Sequence, residues 1–188
     1  MNCRCQLSNV TRNYIDTFQC ILNEMIREMT SAQLSDSISG NFIVQMIPHH
    51  RAAIEMSRNI LQYTTNIPLQ SIASQIIEEQ TKSIENMQAI LDTCKQKQNC
   101  LQDVRTYENR VDRIMQTMFT DMKNACTEND INGNFMREMI PHHIGAIEMS
   151  ENALQYRICP QLRPILEAII ISQKSGVRHM HHLLCCRK

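Results

Sequence analysis

Apolar residues recur along this chain at spacings of three, four and seven, with polar residues between them. Tyr14, Ile21, Met25 and Met29 form one stripe of this kind, which is the periodicity of an amphipathic helix. Phe42, Met46, His49, Ala53, Met56 and Ile60 form a second, and Ile72, Ile76, Gln80, Ile84, Met87 and Leu91 a third. No run alternates polar and apolar positions long enough to predict a strand. Gly40 and Asn41 separate the first two stripes, and Pro68 stands where a third helix would begin, the favoured place for proline in a helix.

The whole pattern then returns. The segment NFIVQMIPHHRAAIEMSRNILQY begins at Asn41 and NFMREMIPHHIGAIEMSENALQY at Asn134, an offset of 134 − 41 = 93 residues. Aligning 38–63 with 131–156 matches 18 of 26 positions. The same offset places Tyr14 on Tyr107, Met25 on Met118, Met29 on Met122, Gln80 on Gln173 and Leu91 on Leu184. Gly133 and Asn134 repeat the first break, and Pro160 stands near the start of the last stripe. The polar run KQKQN at 95–99 reads as the linker. The pattern therefore predicts an all-α protein of six helices, two pseudo-symmetric three-helix repeats over 1–97 and 98–188, packed as one domain or two.

Composition narrows the function. The 19 basic and 19 acidic residues cancel and tryptophan is absent, so no nucleic-acid footprint or base-stacking platform is visible. No apolar stretch is long enough to span a membrane. Nine cysteines cannot all pair internally, and none stands in a C-x-x-C or zinc-finger spacing. With no apolar leader in MNCRCQLSNVTRNY, the simplest expectation is a reducing, cytoplasmic setting with free thiols. Thirteen methionines are many for this length; their thioethers fill cores and also bind soft metals.

The chemistry gathers at the repeated Pro-His-His. Pro48 and Pro141 fall inside the second stripe, where proline removes an amide donor and predicts a kink or a fresh helix start. At 100° per residue, Met46, His49 and Met56 share a face, His50 lies on its other margin and Glu55 points to solvent. A buried histidine is usually a core residue bonded to a carbonyl. Here the pair recurs among thioethers: Met46, Met56, Met25 and Met29 around His49 and His50, and Met139, Met149, Met118 and Met122 around His142 and His143. Such a nitrogen-and-sulfur set suits Cu(I) or Ag(I) best and Cu(II) next. Gln80 and Gln173 are candidates to orient an imidazole. A second cluster, His179, His181, His182, Cys185 and Cys186, occurs only near the C-terminus, with His181/Cys185 and His182/Cys186 each one helical turn apart. It reads equally as a second donor set or as an adventitious tail.

No Glu-x-x-His di-iron signature, H-E-x-x-H zinc motif or glycine-rich phosphate loop is present. The stretch from Glu128 imitates a calcium loop but carries Met139 at its twelfth position, where glutamate is required.

MIPHHRAAIEMS and MIPHHIGAIEMS closely resemble the His-His-x-x-Ala-Ile-x-Met signature of the bacterial family called domain of unknown function 305, and IIEEQTKSIENM resembles its following helix. The resemblance covers nearly the whole chain and implies a ferritin-like helical bundle, with copper binding and copper tolerance among some members. It puts the motif histidines on His49, His50, His142 and His143 and the motif methionines on Met56 and Met149. The aspartate that often precedes the pair is Pro48 or Pro141 here, which leaves a softer site. The expected function is non-catalytic soft-metal binding, copper above all, with a metal ion as partner, no nucleic acid or membrane, and a homo-oligomer as an option. A redox metalloenzyme using the same histidines and a purely structural bundle are the alternatives.

Overall fold

A computed structural model describes residues 6–186, which form six helices and no strand: α1 (Asn9–Thr30), α2 (Ile38–Leu61), α3 (Ile67–Lys95), α4 (Leu101–Lys123), α5 (Ile131–Ala153) and α6 (Arg163–Cys185). Residues 1–5, part of the segment read for an export signal, lie outside the described residues.

Side-chain caps start the first three helices. Ser8 accepts from the Thr11 amide, Ser37 from Gly40 and Asn66 from Leu69, each satisfying an amide that the helix itself leaves unpaired. Gly40 and Gly133 therefore lie in the first turns of α2 and α5, not in the breaks between helices as the pattern predicted. Asn41 and Asn134 lie in those first turns too, and their side chains clamp the preceding loops, Asn41 by three hydrogen bonds with Ser35 and Asn134 by two with Glu128. Pro68 opens α3 as predicted, but Pro164, not Pro160, stands in the first turn of α6. Pro48 and Pro141 neither end nor restart their helices, which run through them without interruption. Tertiary packing on all sides outweighs the missing amide bond.

α2 packs against α1, α3 and α5, and α5 against α4, α6 and α2. Eighteen of the 24 residues of α2 are buried, so it is enclosed on nearly every side and forms, with α5, the centre of the bundle. The outer helices bury one face each. Tyr14, Phe18, Leu22, Met25 and Met29 do so on α1, and Leu69, Ala73, Ile76, Gln80 and Met87 on α3. Fully burying one such apolar side chain contributes roughly 1.5–3 kcal/mol.

Contacts recur at the 93-residue offset. Asn59 donates to the Tyr14 carbonyl at 3.1 Å and Asn152 to the Tyr107 carbonyl at 3.2 Å. Tyr14–Tyr63 and Tyr107–Tyr156 form edge-on ring pairs 5.7 and 5.8 Å apart. Outside this register, a disulfide joins Cys94 at the end of α3 to Cys159 in the α5–α6 loop. It corrects the expectation of free thiols throughout. Cys20, Cys100, Cys126, Cys185 and Cys186 remain free and exposed.

Candidate metal centre

α2 and α5 meet at their histidines. The His49 and His142 rings stack with centroids 3.7 Å apart and planes 33° apart. Each Nε2 lies 3.1 Å from the backbone carbonyl oxygen of the other residue. A carbonyl can only accept, so both Nε2 atoms carry the proton and donate; a neutral imidazole has one proton, which leaves both Nδ1 atoms with a bare lone pair. Neither Nδ1 has a hydrogen-bond partner among the described residues. Burial keeps the rings neutral. It pushes His142 down to about 4, and it holds His49 well below the ordinary histidine value, with the neighbouring imidazoles adding to the effect.

His50 and His143 flank this pair, each with its ring 5.9 Å from its neighbour's. Burial pushes His50 down to about 3 and His143 well below its usual value. Their surroundings differ. His50 Nε2 lies 3.1 Å from the Ser83 hydroxyl of α3. The residue 93 positions on is Gly176 of α6, and a Cβ there would stand 3.0 Å from His143 Nε2. Gly176 therefore gives the His143 ring its room and offers no hydroxyl. The Nδ1 atoms of both outer histidines are buried and without a partner, like those of the inner pair.

Two openings reach these rings. A groove of about 760 Å³ between α3 and α6 is lined by His50, Ser83, Gln80 and Gln173 among others. The two glutamines are buried, but neither side-chain amide makes a hydrogen bond, so the orienting bonds to imidazole predicted for them do not form. A small cavity of about 20 Å³ touches His143, Gly176, His179 and Glu79.

The structure thus brings His49, His50, His142 and His143 together. Met46, Met56, Met139 and Met149 are fully buried on the same two helices. Met25 lines the α1–α2 seam beside Pro48 and Ala52, about 160–200° around α2 from His50 at 100° per residue. Met118 likewise presses its sulfur on Gly145 of α5, where a Cβ would collide with it. Met29 is buried on α1 and Met122 lines a cleft between α1 and α4. At the end of α6 the exposed Cys186 Sγ stands 3.7 Å from His182 Nε2. His181 and Cys185 are exposed too.

The pattern of residues did not single out Glu138. It is 4% exposed, and the Tyr14 hydroxyl donates to its Oε2 at 2.7 Å. Burial raises its carboxyl to about 7 and also raises the Tyr14 phenol well above its usual range, helped by the Glu138 charge. Ser83, Gly176 and Glu138 are positions where the two repeats disagree, and that disagreement was the available signal.

The family described as domain of unknown function (DUF305) matches residues 40–184. The chain belongs to the DUF305 family. Two solved structures share its fold. One, described as CopM in the Ag-bound form (by soaking), is 25% identical, with a TM-score of 0.58 over 77% of this chain and 93% of that one. The other, a DUF305 fragment from Deinococcus radiodurans, is 22% identical, with a TM-score of 0.57 over 82% of this chain and 97% of that one. No curated protein matches.

In this DUF305 chain the donors suit a soft ion by their chemistry. An unprotonated, desolvated imidazole nitrogen without a proton donor has a lone pair free to bind a cation, and Cu(I) and Ag(I) accept few donors of the nitrogen and thioether kind. Among the described residues no three His, Cys, Asp or Glu side chains form a ready ligand group. The chain therefore offers, among the described residues, buried imidazole pairs and no hard-ligand cage.

Proposed function

We propose that this protein binds a soft metal ion, Cu(I) in preference to Cu(II), through His49, His50, His142 and His143, and that it buffers the metal or confers tolerance to it without catalysing a reaction. The observation that carries this reading is the set of four buried imidazoles whose Nδ1 atoms have no hydrogen-bond partner, two of them held as bare lone pairs by the reciprocal Nε2 bonds. Leaving such atoms desolvated and unpaired is costly, and a bound cation would offset that cost. The likeness to a protein solved with bound silver supports it. Met46, Met56, Met139 and Met149 would supply sulfur. His179, His181, His182, Cys185 and Cys186 would form a separate, exposed donor set on α6. The Cys94–Cys159 disulfide fits an oxidising compartment better than the cytoplasm.

The reciprocal His49–His142 bonds favour a second reading, in which the histidines only knit α2 to α5. Anaerobic Cu(I) titration against a chromophoric competitor separates the two. The wild type should bind Cu(I) more tightly than Zn(II). A variant with His49, His50, His142 and His143 replaced by alanine should lose that binding, and a variant with the five α6 donors replaced should keep it. Truncating α6 is unsuitable because Met180 is buried there. Unchanged Cu(I) stoichiometry in the folded four-histidine variant would favour the structural reading.

A further inference from the structure

Glu138 forms the floor of a cleft between α1 and the end of α4. The cavity, about 230 Å³, is bounded by Phe18, Leu22 and Asn23 on one side and by Met122 and Lys123 on the other. The carboxylate is buried, and no cation among the described residues forms an ion pair with it, although the charge of its neighbour Arg137 acts on it from a distance. Its neighbour Arg137 turns instead to Glu128, Asn134 and the Cys126 carbonyl. Tyr14 occupies Oε2, which leaves Oε1 without a hydrogen-bond partner. The fold does not need a carboxylate here, because the equivalent residue of the first repeat is Gln45, which is just as buried. Burying a carboxylate without a directly paired counter-ion is costly, so a Glu where Gln would pack marks a place where a group able to carry negative charge is used.

We propose that this cleft binds a free aliphatic amino acid, its ammonium on Glu138, its carboxylate on Lys123 and its side chain against Phe18, Leu22 and Met122. A concave pocket with apolar walls and a few convergent polar groups is the usual form of a small-molecule site, and the two charged groups along this one match a zwitterion in sign. Lys123 is exposed and makes no ion pair among the described residues, so it is available. The site is separate from the histidines and does not depend on the metal reading.

Isothermal titration of the full chain with L-leucine, leucinamide and N-acetyl-L-leucine tests it. Leucine should bind, leucinamide should bind several-fold more weakly because it lacks the carboxylate, and N-acetyl-leucine, without its ammonium, should not bind. Glu138→Gln should weaken leucine at least tenfold and Lys123→Ala several-fold, with the helical circular dichroism of both unchanged. Gln45 shows that an amide packs, equally buried, at the equivalent position of the first repeat. Cu(I) stoichiometry should be the same in Glu138→Gln and wild type. The proposal is overturned by absence of leucine binding, by leucine binding that Glu138→Gln leaves intact, or by N-acetyl-leucine binding equally well. A lower Cu(I) stoichiometry in Glu138→Gln would make the cleft a metal site and overturn it too.

Discussion

The two repeats bury the same skeleton and differ in what they place beside it. Both hold a Pro-His-His run inside an unbroken helix, both clamp a loop with the same asparagine, and both tie the second helix to a tyrosine carbonyl on the helix before it. Yet His50 meets the Ser83 hydroxyl where His143 meets Gly176. Gln45 donates toward the Met115 sulfur, leaving the buried Tyr107 hydroxyl without a partner, where Glu138 accepts from Tyr14. Cys159 stands where the first repeat has Asn66, the cap of α3. What both copies keep builds the bundle and its histidine centre. What one copy changed alters polarity at that centre, in the α1–α4 cleft and at the covalent tie between repeats.

Acid should strain both repeats together and give the largest effect. The four histidines have folded-state values below their ordinary one, so the unfolded chain takes up protons that the folded chain refuses. Their contribution is whole above the ordinary value of about 6.5 and is lost as pH falls toward the folded values. At pH 5 each would cost up to about 2 kcal/mol, so the urea midpoint should drop sharply between pH 7 and pH 5. Next in size is the covalent tie. Cys94 and Cys159 are separated by 65 residues, and replacing both by alanine should lower stability by up to roughly 4 kcal/mol on the chain-entropy argument, read by denaturant titration of variant and wild type without reductant.

Glu138 should set the repeats apart. Its folded value of about 7 lies above the ordinary carboxyl value of 4.5, so its contribution is whole below that ordinary value and is lost as pH rises through about 7. Glu138→Gln should therefore stabilise the protein at pH 8, by on the order of 3 kcal/mol before counting the altered Tyr14 bond. Gln45→Glu should import the same slope into the first repeat, with Tyr107 as donor. A pair of urea titrations at pH 5 and pH 8 measures both. His49→Ala strands the His142 carbonyl and should cost the metal-free protein about 1–3 kcal/mol; loss of His142 should cost the same within error, and unequal losses would break the equivalence of the inner pair. The smallest expected change sharpens the contrast at the outer pair. Ser83→Ala should cost about 1 kcal/mol and leave His50 as bare as His143, which two-dimensional NMR of the imidazole nitrogens would register at His50 and not at His143.

The helices were legible because burial on one face leaves a 3.6-residue trace. Phe42, Met46, His49, Ala53, Met56 and Ile60 are all buried as their spacing predicted. The same trace underestimated α2 and α5, whose other faces are buried through small and polar residues such as Ala52, Asn41 and Ser57 that no hydrophobic pattern marks. Pro48 misled because the rule against interior proline concerns a helix by itself, and here neighbours hold the helix on every side. The convergence of the histidines followed from their repetition, but their mutual bonds did not, since a His49–His142 contact depends on how α2 crosses α5. Nor could the disulfide be read, because Cys94 and Cys159 occupy no equivalent positions and share no motif. Tyr14 meets Glu138 across 124 residues of sequence, and only the mismatch between Gln45 and Glu138 hinted that the second mattered.

The exchange of hydrogen bonds between His49 and His142 also bears on inheritance. Residue i meeting j while j meets i in return is the geometry of a two-fold homodimer, here drawn within one polypeptide. In a homodimer a single codon change alters both sides of the axis at once. In this chain each side mutates alone, so a lesion at His49 is felt first as an unanswered carbonyl at His142 and no longer meets its own mirror image. Selection can therefore hold the two inner histidines fixed as a couple while the outer positions, Ser83 and Gly176, drift apart.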